Sequence, residues 1–303
     1  MSRVTTFILI AALAGCDSGN YSNEDIDFQL ALPARDDIAV RMPTQALETN
    51  DSAEFYRNTR ATVRNLDGSA DAFLSLLDHV RATAPSERLP DRRVWGPFPI
   101  LESPLWVVRL AIERIEEAGK PLRFAYSLEF RAAADTTGPW NALFRGQFTP
   151  GSSARRGDGV LEFTSAAARA AGYPLGDLAK LERFLIAYKT DAFPLRVTVD
   201  VTNYQATDSA TFQHTEEQDG AGFMHFTFPT GDVRASLLDF KSRWLGSGAG
   251  RADVTALAGT LFVGVTATEC WGIDTRPVFI RRPWEPLRNK GMESDCVFPA
   301  PAP

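Results

Sequence analysis

The chain has 303 residues, 44% of them hydrophobic and 23% charged, an ordinary composition for a globular protein. Its formal net charge is -6 and it has no lysine or arginine cluster, which argues against nucleic acid as a partner, because that binding depends on neutralising phosphates. No run approaches the roughly 18 uninterrupted apolar residues of a membrane-spanning helix.

The chain opens with a positive start, Met1-Ser2-Arg3, and a short apolar run, Val4 to Ala12, too short to anchor stably in a bilayer. Leu13-Ala14-Gly15-Cys16 follows. This resembles the bacterial lipobox, Leu-small-small-Cys, which ends a type II signal peptide. Small residues fit the peptidase pocket there, and the cysteine thiol is the nucleophile that receives a diacylglycerol. The resemblance implies that residues 1–15 are a lipoprotein signal peptide and that the mature chain begins at a lipidated Cys16. Its partner would then be a membrane of the Gram-negative cell envelope, inner or outer, with the body in the periplasm or at the cell surface. Each buried acyl methylene contributes about 0.8 kcal/mol, so several chains make a firm anchor. An ordinary secretory signal with a chance cysteine is the alternative. Asp17 resembles the enteric signal for inner-membrane retention, and equally suits the start of a solvated tether.

Residues 16–50 are polar and acidic and lack sustained apolar periodicity, which predicts a lipidated cysteine followed by a disordered tether. Asp25 and Asp27 alternate as in a metal loop, but no glycine turn or bidentate glutamate follows at calcium-loop spacing. Residues 51–303 are expected to form a single β-rich domain opened by two helices. Asp51 or Ser52 caps the first, with Phe55, Thr59, Val63 and Leu66 near helical spacing, and Asp67-Gly68 breaks it. Ser69 caps the second, in which Phe73, Leu76, Leu77 and Val80 make an apolar stripe beside His79, ending before Pro85.

The β pattern is clearest from Ser103 to Arg131. Trp106, Val108, Leu110 and Ile112 share one parity; later Phe124, Tyr126, Leu128 and Phe130 do, with Arg123, Ser127, Glu129 and Arg131 on the other. The break at Ala118-Gly119-Lys120-Pro121 makes this a long hairpin with one greasy and one wet face. Strands are then expected around Ala142 to Phe148, Val160 to Phe163, Phe184 to Tyr188, Leu195 to Val201, Thr211 to Glu216 and Phe223 to Phe228. A short Ala-rich helix over Ser165 to Ala171 closes at Gly172. Arg156-Gly157-Asp158, a tripeptide that some integrins read, suits a tight turn. Val233 to Leu245 fits helix or strand; the following Gly246-Ser247-Gly248-Ala249-Gly250 favours a strand that turns back through Arg251 to Leu257. Leu261 to Thr268 and Val278 to Arg281 complete the set.

Ten to twelve antiparallel strands and two early helices make the chain mainly β. A sheet this wide must curl, so the expected architecture is a large curved antiparallel sheet, a half-barrel or barrel-like, with the two helices packed on its apolar face. A half-barrel is similar to lipoprotein carriers of the LolA, LolB and mycobacterial LppX type, and that pattern implies an acyl chain held between sheet and helix. Ser242-Arg243-Trp244, Gly248-x-Gly250-Arg251-Ala252-Asp253, Glu269-Cys270-Trp271 and Cys296 resemble a pattern in lipoproteins of myxobacteria and their relatives. That resemblance implies class and location only.

Of three cysteines, Cys16 would take lipid, leaving Cys270 and Cys296 to form a disulfide in an oxidising compartment. Closing that loop of about 26 residues would contribute around 3 kcal/mol. The alternative, a zinc site, lacks enough ligands.

Gly246 to Gly250 is neither a nucleophile elbow nor a phosphate loop. His214 and His225, with Glu216 or Glu217, could face each other across a hairpin as a metal pair, or sit there as structural histidines. Arg251 and Asp253 share a parity and could pair with each other or with Glu269. No catalytic residue, metal ligand or cofactor is assigned. The leading expectation is a non-enzymatic binding or carrier protein for a hydrophobic small molecule or lipid, bound by Trp106, Val108, Phe124, Tyr126 and Phe130. The alternatives are a structural or envelope-assembly lipoprotein whose helices fill the sheet face, and a hydrolase or metal enzyme.

Overall fold

The computed structural model describes residues 22–43, 49–100, 103–204, 208–230 and 232–300; the expected signal peptide, residues 1–15, and Cys16 and Asp17 lie outside them. Fourteen strands form a sheet whose order is the order of the chain, β1 through β14. The protein is mainly β, as its period-two patterning dictates. The chain divides into two compact units, Met1–Leu32 with Ser75–Arg183, and Pro33–Leu74 with Phe184–Pro303.

The first unit holds helix α1 (Asn23–Leu30) and strands β1 (Glu87–Leu89), β2 (Arg92–Pro99), β3 (Trp106–Ile115), β4 (Arg123–Ala132), β5 (Asn141–Pro150) and β6 (Gly157–Thr164). In the β3–β4 hairpin Val108 lies opposite Phe130, Leu110 opposite Leu128, and Ile112 opposite Tyr126. All six are buried, so the alternation read from Ser103 to Arg131 describes the structure. Tyr126 lies across Gly146 of β5, where an added Cβ would come within 2.1 Å of the ring, and its hydroxyl donates to the Val160 carbonyl at 3.1 Å. The wet face carries Arg109 bound to Glu129 at 2.7 Å, with the Arg109 and Arg131 guanidinium groups each 4.3 Å from the Trp140 ring centroid. The strand β1 is short, exposed and charged, a safe sheet edge. Arg156-Gly157-Asp158 leads into β6, and the short helix α4 (Ala166–Ala171) ends at Gly172 in the left-handed conformation, φ 74°, as the sequence predicts.

The expected tether is a correction. Residues 23–30 are helical, and Ser22 and Asp25 form a reciprocal capping box. Asp25 is fully buried, accepting from Arg93 at 2.7 Å and Arg88 at 3.1 Å, and Phe28 packs edge-on against Phe124 with Arg93 over its ring. A second short helix, α2 (Arg35–Ile38), follows in the other unit. Glu24 and Asp25, which read as solvated linker, have arginine partners more than sixty positions away, which no local pattern shows.

The two helices expected after Asp51 are one, α3 (Glu54–Arg81). Asp67-Gly68 does not break it. Gly68 keeps helical backbone with nothing within 4 Å of an added Cβ, and Asp67 accepts from the Val40 backbone at 3.1 Å. The side chains of Phe73, Leu76, His79 and Val80 lie outside the described set.

The second unit holds α2, most of α3, and strands β7 (Arg183–Lys189), β8 (Leu195–Tyr204), β9 (Asp208–Glu216), β10 (Gly222–Pro229), β11 (Leu237–Trp244), β12 (Gly250–Ala258), β13 (Thr266–Trp271) and β14 (Pro277–Arg281). Within Val233 to Leu245, Leu237–Trp244 is strand and residues 233–236 form the turn before it, with β11 and β12 joined through Gly248 at φ 95°. Phe55, Tyr56 and Val63 of α3 join Met224, Phe226, Phe240, Trp244, Ala252, Val254, Ala267 and Trp271 in one buried cluster. The N-terminal part of α3 therefore covers the apolar face of β10–β13, as expected of a helix on the sheet. The strand expected over Leu261 to Thr268 starts only at Thr266. Its first residues are a loop, because the N–H groups of Thr260, Leu261 and Phe262 donate to the Val233 and Arg234 carbonyls instead of to a neighbouring strand.

Candidate functional site

The five residues expected to line a hydrophobic site share the greasy face of β3–β4. Val108, Phe124, Tyr126 and Phe130 are buried and Trp106 is half-buried. Each aromatic ring among them has a partner within its own unit. Phe124 meets Phe28, Tyr126 covers Gly146, and Trp106 and Phe130 gather around Tyr173, with ring centroids 5.5 and 4.6 Å from it. Burial pushes the Tyr173 hydroxyl up to about 12. Phe28 and Tyr173 were not legible as site residues. Phe28 sits in a segment with no periodicity, and the only local hint at Tyr173 is its place just after the Gly172 helix stop.

The proposed His214–His225 pair does not exist. In the β9–β10 register Met224 lies opposite His214 and His225 opposite Gln213, so the two histidines point to opposite faces of the sheet. His214 is 4% exposed and stacks on Trp244 at 5.7 Å. Its Nδ1 donates to the Phe223 carbonyl at 3.1 Å, and Nε2 is buried without a partner among the described residues. Burial holds its pKa down to about 4, against a weaker opposing pull from that carbonyl, so the ring is neutral. His225 instead meets Asp239 at 2.5 Å on the outer face, beside Lys241. Glu216 shares the His214 face, with Arg41 at 3.9 Å; burial raises its pKa. Among the described residues no group of three His, Cys, Asp or Glu side chains could hold a metal ion.

The shared parity of Arg251 and Asp253 on β12 does bring them together. Arg251 donates through Nε and Nη2 to the Asp253 carboxylate at 2.9 Å each, and Thr268 donates to the same group at 2.8 Å. Arg251 also reaches Glu293 at 3.0 Å. Glu269 takes no part. It lies opposite Ala252 in the β12–β13 register and so faces the other way, toward α3. There its carboxylate accepts from the Phe55 backbone N–H and lies 3.7 Å from Arg282; Ser242 on the same face accepts from Thr59 at 3.0 Å. Burial pushes the Glu269 carboxyl up more strongly than the Phe55 N–H and Arg282 hold it down. An Arg-Asp-Glu acid/base cluster is thus split between two faces, and each half acts as a structural tie.

The C-terminal segment closes the outer face of β12–β13. Cys270 and Cys296 form a disulfide, Arg243 donates to the Pro299 carbonyl at 2.8 Å, and the Phe298 ring lies under the Arg243 guanidinium. This explains why five successive β12 residues, Gly250 to Val254, are buried on both faces.

Comparison with known proteins finds no matching family model, curated protein or solved structure.

Proposed function

We propose that this chain is an exported envelope lipoprotein, anchored through lipid on Cys16, whose body works by non-covalent contact rather than by catalysis. The observation that carries the reading is the Cys270–Cys296 disulfide, a bond that persists in oxidising compartments outside the cytoplasm. It agrees with the lipobox resemblance at the other end of the chain. The buried ionisable groups support a non-catalytic body, since Arg251, Asp253, Glu269 and Arg282 are tied to one another or to backbone.

Two modes of contact follow. Where α3 fills the apolar face of β10–β13 with Phe55, Tyr56 and Val63, that region suits an assembly protein acting through its surface. In the first unit the Trp106–Phe130–Tyr173 cluster, with Trp106 and Tyr173 only half-buried, favours a hydrophobic small molecule or lipid as ligand. Native mass spectrometry of the mature protein extracted from membranes tests both. A copurified lipid mass that denaturation releases supports the carrier mode, and loss of that mass in Trp106→Ala places it on β3–β4. A bare protein mass across preparations supports the assembly mode. An unmodified Cys16 sinks the anchored reading.

A further inference from the structure

The second unit exposes a cluster of apolar side chains around the β12–β13 loop. From Val254 to Thr268 there is no charged residue, and the middle of that run is the β12–β13 loop. Leu261 is 67% exposed and Val263 55%. Backbone hydrogen bonds from Thr260, Leu261 and Phe262 tie the loop to the Val233 and Arg234 carbonyls of the β10–β11 loop, so its apolar tips are held out on a fixed backbone, with Val233, 71% exposed, beside them. The Phe262 ring meets Trp284 at 5.6 Å, joining the loop to the segment after β14. That segment starts at the exposed Arg281 and exposes Leu287 completely between the ion-paired Glu285 and Arg288. Arg288 is paired with Glu54 and Glu285, and the Lys290 ammonium turns away to the Pro277 carbonyl at 3.3 Å, at the far end of β14. Arg281, opposite Thr268 at the loop end of β13–β14, has no ion pair among the described residues.

Exposed aliphatic tips, a half-buried tryptophan and an unpaired arginine form the combination that settles at a membrane interface, with apolar groups among the acyl chains, the indole at headgroup level and the guanidinium on a lipid phosphate. The loop projects tips rather than a groove, which suits the plane of a bilayer, and the unpaired Arg281 favours an anionic one.

We propose that this end of the second unit is a membrane-contact surface that inserts Leu261 and Val263 into the interfacial layer of an anionic phospholipid bilayer, with Arg281 on the phosphates. The anchored-envelope reading supplies the nearby membrane, but the insertion does not require lipid on Cys16.

The test uses the intact mature protein on vesicles of phosphatidylglycerol and phosphatidylethanolamine, doped with a phospholipid bearing a diazirine on its acyl chain. Irradiation and peptide mass spectrometry map the adducts, and the intact mass reports separately whether Cys16 is acylated. Adducts are expected on the peptide from Val254 to Thr268 and not on the β3–β4 turn around Gly119. They should fall at least tenfold in Leu261→Asp/Val263→Asp, whose side chains are exposed and whose fold is checked by circular dichroism. They should also fall on phosphatidylcholine vesicles. No adducts in that peptide on protein with acylated Cys16, or adducts spread evenly over the body, would overturn the proposal and leave the anchor standing. Adducts in the loop on protein with unmodified Cys16 would support the insertion and remove the anchor.

Discussion

The backbone N–H of Phe55 donates to the side chain of Glu269 at 2.5 Å across 214 residues of chain. A carboxylate from β13 thus caps the first turn of α3, where the helix has unsatisfied N–H groups and a partial positive charge. Because burial raises the Glu269 pKa above its ordinary 4.5, the unfolded chain ionises first as pH rises. Stability is therefore highest below about 4.5 for this group and falls as pH climbs through the folded pKa. Glu269→Gln keeps the acceptor and should remove that slope, remaining within about 1 kcal/mol of the parent at neutral pH. Glu269→Ala loses the cap and should cost about 2 kcal/mol. Urea denaturation from pH 4.5 to 8 distinguishes them.

His214 should produce the opposite slope. Its folded pKa of about 4 lies below the ordinary 6.5, so the unfolded state takes up the proton first. The stability present above pH 6.5 is lost as pH falls toward 4, by up to about 3 kcal/mol. His214→Phe retains the stacking on Trp244 and should flatten the acid side of a Tm-against-pH profile. An unchanged profile would mean that the ring is not buried neutral.

Breaking the Arg251–Asp253 pair should cost far more than breaking an exposed one. Asp253→Ala strands a buried guanidinium, for which the loss is about 3–5 kcal/mol. Asp232→Ala removes an exposed partner of Arg234 and should shift the midpoint little, because solvent screens that pair. Equal midpoints in a denaturant titration would contradict the buried assignment.

Reduction of Cys270–Cys296 releases the segment that covers Arg251. With a sequence separation of 26, loss of the cross-link should destabilise by about 3 kcal/mol. Hydrogen exchange should rise first in β12 and β13 and not in β3 or β4. The same comparison of Cys296→Ser with the parent avoids reductant.

Gly68→Ala should stabilise. The site is helical and open to a Cβ, so the substitution removes the backbone-entropy penalty of about 1 kcal/mol. A loss of stability, read by thermal melts, would mean that α3 needs flexibility at Asp67-Gly68.

Much of the fold was legible because strands announce themselves locally. Leu195 to Val201 and Phe124 to Phe130 alternate apolar and polar residues, and both are strands with the predicted parity. The glycine-rich turn around Gly248 marked the β11–β12 hairpin. The His214–His225 pair failed for the same geometric reason that the strands succeeded. Cross-strand partners depend on register, and a one-residue offset moves a side chain to the other face. The loop from Leu261 to Val265 was read as strand because exposed apolar tips and a buried strand have the same composition.

The sequence by itself determined the β architecture, the turns and the cysteine pair, since period-two burial, glycine backbone and cysteine count are properties of short stretches or of the whole composition. Only the tertiary structure decided that Asp25 is buried against Arg88 and Arg93, that α3 is continuous through Gly68, and that Glu269 and Arg251 serve opposite faces of one strand pair. Each of these rests on partners distant in sequence, where desolvation and register outweigh local preference.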